Sequence, residues 1–184
     1  MIRLDSLDLS LDKKEHIRRL AADLTNIHLD FEYVSDFKNT KELRDFVSAL
    51  TELVGMPKMW RNRFVLVTDE MNNNAIEYGS RPEDTNRITF KVIKRGKNIK
   101  MFVEVEDTGR GKAPKTADQM YKLKDEKLKI GFDSRDIGIR GRGLFLITRG
   151  TVDKLYFEDS EKGGLIVGVE KDIILEDGDL QEVA

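Results

Sequence analysis

An α+β sandwich, with helices on one face of a mixed, mostly antiparallel sheet, is the fold class this sequence predicts. Three observations point to it. Two pairs of alternating segments, 87–93 with 99–106 and 152–158 with 165–170, are each joined by a short glycine-containing turn, which signals hairpins and antiparallel pairing. Apolar stripes at helical spacing run through 39–54 and 60–78, and a further apolar run, 144–147, precedes the second hairpin. The resulting order is helix, strand, helix, helix, hairpin, loop, helix, hairpin. It segregates helices from strands instead of alternating them as βαβ units do.

Each element has its own local reason. Leu11, Ile17, Leu20, Ala21, Leu24 and Ile27 make a stripe in an N-terminal helix with Ser10 as its cap. Residues 1–28 therefore read as a helical extension that packs on the domain, pairs with a second copy or contacts a partner. His16 reads as a surface histidine in that charged helix. Residues 29–35 alternate as a half-buried strand. Asn39 or Thr40 caps the next helix, whose core face is Leu43, Phe46, Val47, Leu50 and Leu53, and Gly55 and Pro57 end it. Trp60, the sole tryptophan, reads as a core anchor of the following helix. Residues 112–140 show no clear period and read as a long loop, while Gly150 closes the helix begun at Leu144. The tail from Leu175 to Ala184 is acidic and reads as a frayed end.

Composition narrows the function. At 184 residues the chain fits one domain, which at this size buries roughly 70% of its unfolded surface. There are no cysteines and two histidines, His16 and His28, so thiolate sites are excluded and zinc is not indicated. The formal net charge of −2 gives no global signal for nucleic acid. No apolar run approaches a membrane span of roughly 18 residues, and the N-terminus lacks a signal peptide's apolar stretch. The expectation is a soluble cytoplasmic protein. One local imbalance stands out: residues 112–142 hold nine Lys/Arg against five acids, a net +4.

The helix across 60–78 carries the first chemical pattern. Phe64, Val67, Met71, Ala75 and Tyr78 share an apolar stripe; Glu70, Asn73, Asn74 and Glu77 fall on another face, and Gly79 stops the helix. Glu70 and Asn74 are four apart, so their side chains lie one above the other. A carboxylate beside a neutral amide suits a proton acceptor and a hard cation. Three consecutive asparagines, mediocre helix formers, need a reason other than helix propensity.

Two glycine motifs complete it. Asp107 ends a strand and is followed by Gly109 and Gly111, which allow positive φ and a close backbone approach to a flat ligand. A buried carboxylate there can accept a hydrogen bond from an exocyclic amino group. Gly138, Gly141, Arg142 and Gly143 precede Leu144 at a helix start, where backbone N–H groups point at an anion. The set describes an adenine end and a phosphate end, with Asn74 on Mg²⁺ and Glu70 as proton acceptor. It is neither a P-loop nor a Rossmann fingerprint.

In this order the motifs resemble the GHKL (Bergerat-fold) ATPase superfamily, and within it the anti-sigma factor serine/threonine kinases of bacterial partner switches. The N-box pattern matches Glu70, Asn74 and Ala75. The DxGxG box matches Asp107, Gly109 and Gly111. The second glycine box matches Gly141, Gly143, Leu144 and Leu146. Where the family's third box has Gly-Thr, this chain has Gly163-Gly164-Leu165; Tyr78 replaces a common histidine; and Glu77 replaces the Lys or Arg of histidine kinases. The resemblance implies a Bergerat-type domain over 29–172, with an ATP lid at about 112–140 and a tail at 173–184. It implies Glu70 as general base, Asn74 as Mg²⁺ ligand, Asp107 as adenine reader, and Asn73, Gly109, Gly111, Gly138, Gly141, Arg142, Gly143 and Leu144 around ATP. The implied partners are a STAS-domain antagonist, which is phosphorylated, and a sigma factor or other response regulator, with a possible homodimer. A non-catalytic ATP-gated binding module and a detached histidine-kinase-like ATPase domain are the alternatives.

Overall fold

The computed structural model describes residues 1–4, 12–129, 144 and 149–176. Among them, strands β1 (Ile2–Arg3), β2 (Asn26–Val34), β3 (Thr85–Arg95), β4 (Asn98–Glu106), β5 (Lys154–Asp159) and β6 (Leu165–Ile174) form one sheet in the order β1-β2-β3-β4-β6-β5. β1 pairs with β2 in parallel, and every other pairing is antiparallel. The sheet is mixed and mostly antiparallel, as the hairpin signals require. Gly96, at φ 57°, and Lys97 make the two-residue turn between β3 and β4.

Period-two alternation decides which face is buried. Ile27, Leu29, Phe31 and Tyr33 of β2 point inward, as do Ile88, Phe90 and Val92 of β3 and Ile99, Met101, Val103 and Val105 of β4. Helices α1 (Lys13–Leu20), α2 (Lys38–Leu53) and α3 (Lys58–Asn74) supply the other half of that core through Ile17, Leu43, Phe46, Leu50, Phe64, Val67 and Met71. Phe46 of α2 packs on both Phe31 (centroids 4.7 Å apart) and Phe90 (5.7 Å). Each such fully buried side chain stabilises by about 1.5–3 kcal/mol. The opposite sheet face carries ion pairs, among them Arg87–Asp30 at 2.9 Å, Lys91–Glu104 at 3.6 Å and Lys100–Glu170.

Trp60 is half-buried against the core, not enclosed by it. The Arg63 guanidinium and the Lys171 ammonium each lie 4.7 Å from its ring centroid, so it joins the start of α3 to β6 through two cation–π contacts.

Five expectations change. First, residues 1–28 are not a separate extension: β1 adds a strand to β2, Leu4 and Ile17 join the core, and the boundary at 28 falls inside β2. Second, α1 is capped by Asp12, whose carboxylate accepts the Lys14 N–H at 3.0 Å, and His16 on it is buried. Ser10 lies outside the described residues. Third, α2 is opened by Asp36, whose carboxylate accepts the Lys38 N–H at 2.9 Å; Thr40 is buried between α2 and α3 instead of capping. Fourth, residues 117–129 are not loop but a fourth helix, α4 (Ala117–Lys129), started by a reciprocal cap in which Thr116 N–H donates to Gln119 Oε1 at 3.0 Å and Gln119 N–H to Thr116 Oγ1 at 3.3 Å. Fifth, Leu175 at the start of the tail is buried, and its N–H donates to the Lys97 carbonyl at 2.9 Å.

Candidate nucleotide-binding site

α3 does not end as an α-helix. Ala75–Gly79 form a π-helical turn, closed by Ser80 N–H donating to the Ala75 carbonyl at 2.9 Å. Such turns insert one residue and re-aim the side chains that follow. Here Asn74, Ala75, Tyr78 and Gly79 face one cavity of about 370 Å³. Its other walls come from Val105 and Asp107 at the end of β4, Ala113 and Lys115 in the next connection, Met120 and Leu123 of α4, Leu144, and Leu165 and Val167 of β6. The lining is predominantly apolar with a few polar groups, as small-molecule sites are.

Asp107 is the half-buried carboxylate of this cavity. Its Oδ1 accepts the backbone N–H groups of Gly109 (2.8 Å) and Leu165 (3.0 Å), which leaves Oδ2 for a ligand. Burial pushes the Asp107 carboxyl above the ordinary carboxylate range, and the two backbone donors oppose that only in part. Four glycines let the backbone pack closely here, two of them against Asp107 itself. A Cβ on Gly79 would overlap the Asp107 carboxylate, one on Gly164 the Asp107 carbonyl, and one on Gly111 the Tyr78 carbonyl. Gly109 has φ 65°, and a Cβ there would overlap the Gly163 carbonyl. The loop after Asp107 is pinned from behind: Thr108 N–H donates to Ser80 Oγ at 3.0 Å, and the Thr108 hydroxyl to Asp84 at 2.8 Å.

On α3, Asn74 Nδ2 donates to Glu70 Oε1 at 3.4 Å. The pair is stacked one turn apart as the spacing predicts, and with Nδ2 committed, Asn74 Oδ1 is the atom available to a cation. Asn73 is not on the cavity wall; its Oδ1 accepts from the Thr40 hydroxyl of α2 at 3.4 Å, which places it at the helix–helix contact. Leu144 is buried and lines the cavity. Gly138, Gly141, Arg142 and Gly143 lie outside the described residues.

Lys115, Met120, Leu123 and Val167 line the cavity without belonging to any of the sequence motifs. The Thr116-Ala117-Asp118-Gln119 capping box was the signal that a helix starts there, with Met120 and Leu123 three apart on its inner face.

This geometry agrees with the family comparison. A model described as a histidine kinase-like ATPase domain matches residues 33–171. The chain belongs to that family. The match begins inside β2 and ends inside β6, so it contains every described cavity wall. Membership of an ATPase family implies ATP binding. Among solved structures, the crystal structure of the SiaB–SiaC complex from Pseudomonas aeruginosa aligns with a TM-score of 0.48 and 13% identity, covering 91% of this chain and 99% of that one. No curated protein matches the chain. No helix among the described residues is long and apolar enough to cross a membrane.

Proposed function

We propose that this protein is an ATP- and Mg²⁺-dependent serine/threonine protein kinase that works in a partner switch. The observation that carries the reading is the Glu70–Asn74 hydrogen bond on α3, with Asn74 on the wall of the cavity that Asp107 also lines. Adenine would sit on the apolar walls with its amino group on Asp107 Oδ2. The phosphates would run toward Asn74.

The residues fit Mg²⁺. Among the described residues no three His, Asp or Glu side chains come together, so a cation here would rest on Asn74 Oδ1, phosphate oxygens and water. Bound Mg²⁺ supplies charge neutralisation across the phosphates. Glu70, part-exposed and held by Asn74, would take the proton of an incoming serine or threonine hydroxyl as its oxygen bonds to the γ-phosphorus and ADP leaves. In this reading the phosphoacceptor is a STAS-domain antagonist and the second partner a sigma factor or similar regulator, both drawn from the family resemblance.

The absence of the third-box threonine from Gly163-Gly164-Leu165 favours a second reading, an ATP-gated binding module without transfer, and Leu165 there puts an apolar side chain on the cavity wall. Transfer of labelled γ-phosphate to purified STAS-domain proteins decides between them. Glu70→Gln is expected to lower the transfer rate about 10²–10⁴-fold while ATP still binds. Transfer at an unchanged rate, or no transfer by the natural sequence to any of them, removes the catalytic reading.

A further inference from the structure

The two ends of the cavity sit on different elements, Asn74 on α3 and Asp107 just past β4. One hydroxyl joins them from behind. The Ser80 N–H closes the π-helical turn that follows Asn74, and Ser80 Oγ accepts the N–H of Thr108, the residue after Asp107, at 3.0 Å. The Ser80 hydroxyl in turn donates to Asn86 Oδ1, at the start of β3, at 2.5 Å. A serine hydroxyl has one proton and two lone pairs, and an amide oxygen only accepts. Asn86 therefore takes the proton and leaves a Ser80 lone pair turned toward Thr108. Ser80 is 3% exposed and Asn86 0%, so water does not compete for these bonds. Neither residue is among the described walls of the cavity, so each acts on a ligand through its neighbours.

The peptide between Asp107 and Thr108 is held on both sides. Its N–H donates to Ser80, and its carbonyl lies against Gly164, where a Cβ would overlap it. The Asp107 carboxylate has supports of its own, the N–H groups of Gly109 and Leu165. Further along, the Gly111 N–H donates to the Gly79 carbonyl at 3.0 Å and the Ala113 N–H to the Tyr78 carbonyl at 3.2 Å. The loop thus stays attached to the end of α3 without Ser80. What Ser80 adds is an attachment at the residue next to Asp107. We propose that Ser80, oriented by Asn86, is a positioning residue that fixes the span between Asp107 and Asn74 and so lets one nucleotide engage both ends at once. The proposal rests on the nucleotide reading of the cavity. A ligand that reaches both ends is sensitive to the span, because its second contact is intramolecular once the first is made. A ligand that occupies the base end alone is not.

Titration of the full chain with ATP plus Mg²⁺, and separately with adenosine, followed by NMR chemical shifts, tests this. Ser80→Ala is expected to lower ATP affinity about 3–10-fold, the worth of one neutral hydrogen bond, and to leave adenosine affinity within about twofold. Thr51→Ala removes another buried hydroxyl, on α2 and off the described cavity walls, and controls for stability. It is expected to lower the melting temperature and leave both affinities unchanged. Asn86→Ala should reproduce the ATP loss, and the Ser80→Ala, Asn86→Ala double variant should lose no more than Ser80→Ala alone, because the two act through one bond. An unchanged ATP affinity in Ser80→Ala, an equal loss for ATP and adenosine, or the same ATP loss in Thr51→Ala overturns the positioning role. Losses that add in the double variant overturn the part given to Asn86. Where the Asn86 variants do not fold, Ser80→Ala against Thr51→Ala decides. ATP binding with no adenosine binding also overturns the proposal, since the base end then holds no ligand by itself. If the natural sequence binds neither, the nucleotide reading falls and the proposal with it; a natural sequence that binds ATP no better than Ser80→Ala does removes the positioning role alone.

Discussion

In the proposed reading the Asp107 carboxylate selects for adenine, and its burial comes at a cost to the fold. Its ionised form is disfavoured by burial, so the pKa is raised. A group with a raised folded-state pKa contributes stability that is present below its unfolded value, about 3.9, and lost as pH rises through the folded value. Asp107→Asn keeps an oxygen for the Gly109 and Leu165 donors and removes the half-buried charge. It is expected to melt at the same or a higher temperature than the natural sequence, while losing about 10–100-fold in ATP affinity through the lost charged acceptor. Calorimetric melts and ATP titrations on one preparation read both. Acid should act on the site before it acts on the fold. Asp84 behind the loop is the opposite case: burial raises its pKa, but the bonds from the Thr108 hydroxyl and the Arg81 N–H, with the Arg110 and Arg81 charges, outweigh that and lower it. Its stabilisation is present above the unfolded value and lost as pH falls through the folded one. Adenosine, which has no phosphate to titrate, is therefore expected to lose affinity at a higher pH than the one at which the Thr108–Asp84 anchor fails. Coincident loss of binding and of the folded signal would contradict this. Gly79→Ala is the steric counterpart. Its methyl overlaps the Asp107 carboxylate, so ATP binding should vanish with about 1–3 kcal/mol of destabilisation in a denaturant melt.

Elements differ in how openly the sequence announces them. The strands of the β3–β4 hairpin alternate cleanly because one face is buried and the other is wet, and the spacing of Glu70 and Asn74 survives in the structure because it needs only helical geometry. The π-helical turn at Ala75–Gly79 has no such signature: which residues share a face there depends on an inserted residue that the packing of Tyr78 and Gly79 against the loop at Gly111 stabilises. Asn73, next to Asn74 on the regular part of α3, lies on a different face of the helix and turns to Thr40. β1 is silent in sequence because two residues carry no period, and its pairing with β2 joins positions far apart in the chain. α4 was legible at its cap but not along its length, since only a narrow stripe of it is apolar. Thr116→Ala, which removes the hydroxyl that accepts the Gln119 N–H, is expected to destabilise α4 by about 1 kcal/mol. Amide exchange within 117–129 should quicken while that of β2 to β4 stays constant.

For the whole molecule, a layer of helices packs on one sheet, and the N-terminal segment contributes to both through α1 and β1. Removal of residues 1–28 takes away β1, α1 and the first three residues of β2, and uncovers the core where Leu4, Ile17 and Ile27 are buried. The shortened chain is expected to lose several kcal/mol, given about 1.5–3 kcal/mol per buried aliphatic side chain, and to populate unfolded or associated states. A monomer with an unchanged melting temperature would show instead that the segment is dispensable. The sole indole of the chain offers a way to follow such experiments. Clasped between two cations on the side of the core where α3 meets β6, and absent from the cavity walls, its emission is set by whether helix layer and sheet are docked. Intrinsic fluorescence will then track disassembly of the fold without a direct contribution from nucleotide in the cleft, so occupancy and integrity can be watched as two separate signals in one cuvette.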